Sequence, residues 1–218
     1  MFLGHFAVGF VGKRVAPRVP FPALLFAPIL LDGLWPIFLL LGLERVRIDP
    51  GNTAFTPLDF QRYPWSHSLL MTLIWAALVG LSYRTLTRDG RGAWWLAAAV
   101  TSHWVLDWVT HRPDLPLWPG GPLVGLGLWR SVAATIVIEL AMFFAGVWIF
   151  LRTTRPRGWM GRLSLASLVA VLFLLYLMNL KPLPAGATAR GIAWTGLLGW
   201  LFIPWAWWVE RTRRTVRR

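Results

Sequence analysis

Six stretches of this chain are apolar over almost the length that a helix needs to cross a bilayer, and nothing else in the sequence constrains the fold as strongly. They are Phe21–Leu43, Ser68–Leu86, Gly92–Thr110, Leu128–Leu151, Met160–Leu180 and Gly191–Val209. A hydrocarbon layer of about 30 Å takes about 20 helical residues. Within that layer every backbone N–H and C=O must be satisfied internally, which a helix does by itself. Six crossings in 218 residues leave little chain for a soluble domain. The expectation is an all-α polytopic membrane helix bundle with about six transmembrane helices. Segments apolar on every side need show no clear 3.6-residue amphipathic period, and these do not.

The start of the chain, MFLGHFAVGFVG, is apolar but only about 18 Å long as a helix, too short to span. Its positive charges, Lys13, Arg14 and Arg18, follow the apolar stretch, whereas a secretory signal places them before it. It reads as a half-helix dipping into the bundle, where surrounding protein can shield its ends. Residues 1–151 form the expected metal-site core. Residues 152–218 add two transmembrane helices and a basic tail to the same membrane domain.

Only 14% of the residues are charged, against roughly 25% in soluble domains. The absence of cysteine excludes disulfide scaffolds, thiolate metal sites and cysteine nucleophiles. The net charge of +13 is unevenly placed. With six spans, one side collects 15 of the 22 Lys and Arg, including Lys13, Arg84, Arg88, Arg152, Arg155 and the Arg211–Arg218 tail. The positive-inside rule then places both termini in the cytoplasm of a bacterial inner (plasma) membrane. The same charge favours anionic lipids as partners. The tail is short and directly follows a span, so no nucleic-acid partner is expected.

Ionisable groups inside a bilayer are costly and therefore mark function by default. His5 lies in the half-helix, Asp32 in the first span, His67 at the start of the second, and Glu139 in the fourth. His103-x3-Asp107-x3-His111 lies on the third, with Asp114 just beyond. Steps of four residues keep His103, Asp107 and His111 on one helix face. Imidazole and carboxylate together suit zinc, with manganese or iron also compatible. At 1.5 Å per residue, Asp32, His103 and Glu139 each lie about 17 Å from one end of their spans, near the midplane. His67, Asp107 and His111 lie nearer the outer face. All four histidines therefore fit one pocket running from midplane to outer side. Asp114, after Pro113, can curl back over it.

The ordered set MFLGHFAVGFVG, LLDGLW, PWSHSLL, SHWVLDWVTH and DLPLWPGGPLVGLGLW…ATIVIE resembles the YdjM-type family of membrane-bound proteins, named as metal-dependent hydrolases, over roughly residues 1–150. Where that family often shows Pro-Asp-x-Asp, this chain has Leu31-Asp32-Gly33-Leu34 and lacks a second carboxylate. The family is in turn similar to zinc-dependent phospholipase C and P1-type nucleases, which cleave phosphate esters and hold zinc with a His-x3-Asp pair. The resemblance implies that His103 and Asp107 are that pair and that Asp32, His67 and His111 are further ligands. It places His5 where the soluble enzymes use N-terminal ligation, and matches Glu139 to a late glutamate.

These readings lead to a membrane-embedded metal hydrolase acting on a lipid or lipid-linked substrate, such as a phosphate ester. His5, Asp32, His67, His103, Asp107 and His111 are its expected metal ligands, and Glu139 and Asp114 its candidate catalytic groups. Arg112 and Arg130 are candidates for holding a phosphate, although arginines there also snorkel to the interface. A transporter using the buried groups as an ion or proton pathway is the alternative. Pro28, Gly33 and Pro36 interrupt the first span in its favour, while no inverted repeat and no matching broken helix is evident in the sequence. A purely structural zinc needs four protein ligands, fewer than the candidates present.

Overall fold

The computed structural model describes residues 1–216; Arg217 and Arg218 of the basic tail lie outside the described residues. Helix α1 (Leu3–Val15) is the expected half-helix. The first span is α2 (Phe21–Phe26), a 3-10 turn at Ala27–Ile29 and α3 (Leu30–Leu40). Pro28 sits in the turn and Pro36 inside α3, where each removes a backbone donor. A short hairpin, β1 (Arg45–Ile48) and β2 (Leu58–Arg62), leads into α4 (Pro64–His67) and α5 (Leu69–Thr87). Helix α6 (Gly90–Thr110) follows, then the pair β3 (Leu115–Pro116) and β4 (Leu123–Val124). Then come α7 (Val132–Thr153), β5 (Thr154–Pro156), α8 (Met160–Asn179), α9 (Ala189–Leu197), a 3-10 turn at Leu198–Leu201, α10 (Phe202–Thr212) and β6 (Arg213–Thr215). Each of the two long loops, residues 44–66 and 112–127, holds a small antiparallel hairpin.

Among the described residues, five helical stretches are long and apolar enough to cross a membrane: Phe21–Leu40, Leu69–Thr87, Val132–Thr153, Met160–Asn179 and Ala189–Thr212. The sequence reading gave about six. The difference is α6, whose 21 residues measure about 31 Å but do not reach the same mean hydropathy. It carries His103 and Asp107 and puts them inside the bundle rather than toward lipid. The outward faces are apolar, with Leu70, Leu73, Leu78 and Leu81 exposed on α5 and Val137, Phe144 and Trp148 exposed on α7. In water such a surface would aggregate; in a bilayer it is the lipid face.

Capping residues set the ends of the long helices. Ser68 accepts from the Met71 amide, Asp89 from Gly92 and Ser131 from Ala134, each satisfying an otherwise orphaned donor. Arg88 closes α5 in the left-handed conformation (φ 58°), which turns the chain directly into α6.

Helix α1 lies in the interior, with Leu3, Phe6 and Phe10 buried against Phe21, Leu24, Phe143 and Phe150. Glycine makes this possible. A Cβ on Gly146 of α7 would lie 2.8 Å from the Ala7 carbonyl oxygen, so only glycine allows the two backbones to approach this closely. Leu165, Leu168 and Tyr176 of α8 and Phe202, Ala206 and Val209 of α10 join the same core. At the far end of α1, buried Lys13 bonds Glu210 at 2.8 Å, and Glu210 also accepts the Phe21 amide. Glu210 lies one residue beyond the apolar run Gly191–Val209. Strand β6 pairs with β5, fastening the described part of the tail to the α7–α8 connection.

Candidate metal centre

Helix α6 places His103, Asp107 and His111 on one face, as their four-residue spacing requires. All three are buried, with exposures of 3% or less. The first span brings Asp32, the α4–α5 junction brings His67, and α1 brings His5. His67 Nε2 lies 3.2 Å from His103 Nε2 and 3.5 Å from Asp32 Oδ1. Asp107 Oδ2 lies 3.0 Å from His103 Nε2, 3.8 Å from His67 Nε2 and 3.9 Å from His111 Nε2. The His5 ring stacks on His103 with centroids 3.9 Å apart, and its Nε2 lies 3.1 Å from Asp107 Oδ1. The α-amino group of Met1 is 2.6 Å from the same oxygen.

The outer ring nitrogens decide what the inner ones can do. His103 Nδ1 is 2.7 Å from the Pro28 carbonyl oxygen, which can only accept, so that nitrogen carries the proton. His111 Nδ1 donates to Asp114 Oδ1 at 2.9 Å. His67 Nδ1 is 2.7 Å from Ser66 Oγ, whose own proton goes to Glu44 at 2.7 Å. With Nδ1 the donor to the outer partner on each ring, the three Nε2 atoms are the ones turned inward, toward Asp107 Oδ2. Two of them, on His67 and His103, are 3.2 Å apart, a separation that a shared proton or a metal ion between them satisfies.

Zinc–nitrogen bonds of about 2.0–2.1 Å put the edges of a tetrahedral ligand set at about 3.3 Å. The separations of His67 and His103 from each other and from Asp107 and Asp32, from 3.0 to 3.8 Å, bracket that value. Two ligand groups are geometrically competent, His5–His103–Asp107 and Asp32–His67–His103, and they share His103. His5 Nδ1 is buried without a partner. A donor set of imidazole and carboxylate in which the outer nitrogens of His67, His103 and His111 are already anchored fits a divalent ion.

Loop residues hold the outer half. Leu126 donates to the Trp108 carbonyl and Gly127 to that of His111, so the loop seals the end of α6. Gly125 makes this contact possible, since a Cβ there would collide with the Arg112 carbonyl oxygen. Asp114 does curl back: its Oδ1 accepts from His111 and from Tyr63 Oη at 3.1 Å, and its Oδ2 from Arg112 Nε at 3.1 Å. Burial, with Asp114 and Asp107 nearby, holds the Tyr63 phenol well above its ordinary value, so it is a lasting donor. A cavity of about 500 Å³ between Gln61–Trp65 and Pro116–Leu123 has Tyr63 and Asp114 in its wall.

The structure distributes the other candidates differently. Glu139 does not join the histidines. Its Oε2 accepts the amides of Phe2, Leu3 and Gly4, at 2.9, 2.6 and 3.4 Å, and so caps α1; its Oε1 is buried without a partner. Arg112 is committed to carboxylates, bonding Asp59 as well as Asp114. Arg130 is exposed and, among the described residues, makes no side-chain hydrogen bond or ion pair to the cluster. Four participants were missed: Glu44, Tyr63, Ser66 and the Pro28 carbonyl. Only tertiary contact marks them; Glu44 lies 22 residues before Ser66, in a loop where a charge is unremarkable. Burial raises the Glu44 carboxyl above its ordinary value, opposed by His67 and by the hydrogen bonds from Ser66 and Trp65.

Asp32 differs from the rest. Its side chain is 47% exposed, while every other ligand candidate is nearly sealed. It is the only exposed residue between Phe21 and Leu40.

No curated protein and no solved structure matches the chain. The similarity to phospholipase C and P1-type nucleases is therefore not shown. The family model described as YdjM inner membrane protein matches residues 52–183, more than half of the chain. The match begins after the first span and reaches through α8, whereas the resemblance was read over residues 1–150. It includes His67, His103, Asp107, His111 and Glu139. This chain, a polytopic helical bundle with buried His and Asp groups able to hold a metal, belongs to the YdjM inner membrane protein family.

Proposed function

We propose that the protein is a membrane-embedded, metal-dependent hydrolase acting on a lipid or lipid-linked substrate, with a phosphate ester as the favoured bond class. The observation that carries this reading is the set of three imidazoles, each with Nδ1 anchored and Nε2 turned toward Asp107. The groups Asp32–His67–His103 and His5–His103–Asp107, which share His103, would hold the metal, with His111 beside Asp107; zinc suits the donors best. A bound divalent ion supplies Lewis acidity and an activated water. The chain's own groups do the remainder. Asp114 orients His111 and, with Tyr63, faces the outer cavity; the unpartnered Oε1 of Glu139 is free to accept a proton.

A lipid substrate is supported by Asp32. A half-exposed carboxylate at mid-span, flanked by buried apolar residues, does not belong against acyl chains. It marks a mouth of the cluster at bilayer depth, where a polar head on a hydrophobic tail can enter. Positive-inside charge places both termini in the cytoplasm and the His111 end toward the outer side.

One observation favours the transporter reading. Both the first and the last span are interrupted by a 3-10 turn, and they pack against each other through α2 with α10 and α3 with α9. Interrupted helices beside a buried ion site are a feature of transporters. The deciding experiment compares detergent-purified wild type with His103→Ala and Asp107→Ala. Metal content is measured after metal-supplemented purification, and release of phosphate or head group from a lipid panel is followed with and without chelator. The hydrolase reading expects bound metal and chelator-sensitive release in wild type alone. Equal, negligible metal in all three defeats it. Metal retention without turnover, with uptake into vesicles, selects the transporter.

A further inference from the structure

Glu44 and Ser66 lie outside the spans and touch no candidate ligand atom that faces the cluster, yet both are buried, with exposures of 2% and 0%. Glu44 sits just after the first span and reaches the α4 turn. One of its oxygens accepts the amides of Trp65 and Ser66 at 2.9 and 2.8 Å. The other accepts the Ser66 hydroxyl at 2.7 Å, and the Ser66 oxygen lies 2.7 Å from His67 Nδ1. A carboxylate can only accept, so the Ser66 proton points at Glu44 and the Ser66 lone pair points at His67. His67 must then carry its proton on Nδ1, which leaves Nε2 bare toward His103 and Asp32.

We infer that Glu44 and Ser66 are positioning residues that fix the tautomer of His67 for metal binding. The inference rests on the proposed metal site. A backbone carbonyl does the same task for His103 and a carboxylate for His111, but only at His67 does a two-residue relay do it. A buried carboxylate held by two amides and a hydroxyl has a fixed polarity, and the relay transmits that polarity to the ring. Partners of this kind outside the ligand shell affect metal affinity by about 10–100-fold.

Polarity, as opposed to shape, is open to test. In Glu44→Gln the amide oxygen must stay on the Trp65 and Ser66 amides, so the NH2 group turns to Ser66 Oγ and donates. The Ser66 proton then goes to His67 Nδ1, and His67 takes the Nε2–H form. That proton occupies the nitrogen that faces the cluster and closes the position to a metal ion. The experiment titrates Zn²⁺ against a competing chelator in detergent-purified wild type, Glu44→Gln, Ser66→Ala, Ser66→Thr and His67→Ala. Imidazole ¹⁵N spectra of the metal-free proteins report the tautomer. Ser66→Ala is expected to weaken Zn²⁺ by about 10–100-fold. Ser66→Thr should restore it, and Glu44→Gln, although nearly isosteric, should lose at least as much as Ser66→Ala and show His67 as Nε2–H. Wild-type affinity and tautomer in Glu44→Gln and Ser66→Ala, beside weakened His67→Ala, overturn the inference and leave the metal site standing. Wild-type affinity in His67→Ala as well removes His67 from the site and the relay with it.

Discussion

Glu139 separates a structural task from a chemical one, and replacing it measures which prevails. Its Oε2 receives two short amide bonds, 2.6 and 2.9 Å, and a long one, 3.4 Å, from the first residues of α1. Bonds to a charged acceptor contribute about 1.5–3 kcal/mol net, against about 0.5–1.5 for neutral ones. Glu139→Gln keeps an oxygen in place, so the two short bonds lose about 1 kcal/mol each. Lower desolvation of the neutral amide offsets part of that, and a net loss of about 1–2 kcal/mol is expected. Glu139→Leu strands two buried donors at about 1–3 kcal/mol each, a loss of about 2–6 kcal/mol. The first turn of α1 then frays and takes His5 off the His103 ring. The native chain has no cysteine, so a Leu3→Cys reporter is unambiguous. Leu3 is fully buried. Its maleimide labelling in detergent should be slow in the Glu139 background, modestly faster with Glu139→Gln and fast with Glu139→Leu, with thermal unfolding shifted in the same order. Equal protection and equal unfolding temperature in all three refute the capping account. Loss of turnover in Glu139→Gln without any change in labelling assigns the residue to proton transfer instead.

The other expectations are briefer. Gly146→Leu drives a side chain into the Ala7 backbone and should cost about 1–3 kcal/mol through overpacking, read as a lower unfolding temperature; an unchanged temperature means that α1 does not sit against α7 as described. Thr87→Cys and Ala185→Cys, both exposed, should label from opposite sides of intact inner-membrane preparations with an impermeant maleimide, Thr87→Cys from the cytoplasmic side. Labelling from one side removes the orientation drawn from the arginines. The raised Tyr63 phenol binds its proton more tightly folded than unfolded, so its contribution to stability is whole below the ordinary tyrosine value of about 10 and declines as pH rises above it. Tyr63→Phe should flatten that alkaline decline in stability; an unchanged profile means the phenol is not so held.

Hydropathy is local and additive along the chain, so the membrane bundle was legible from the apolar runs, as was the short α1. Helical periodicity is also local, and it placed His103, Asp107 and His111 on one face before any packing was known. Depth counted along the spans brought Asp32 and His103 to one level, and the structure puts them 3.8 Å apart. The same counting also put Glu139 at mid-depth, but depth says nothing of azimuth, and Glu139 turns to the α1 amides. Its partners are more than 130 residues away in sequence. Which nitrogen of each histidine carries the proton was fixed by Pro28, Ser66 and Asp114, and the first two of these are set by helix packing and loop closure. Sequence by itself determined the environment and the inventory of chemical groups, because both follow from the transfer of residues into apolar surroundings. Tertiary structure alone decided the pairing, because a hydrogen bond depends on distances below about 3.5 Å between atoms that the chain order leaves unrelated.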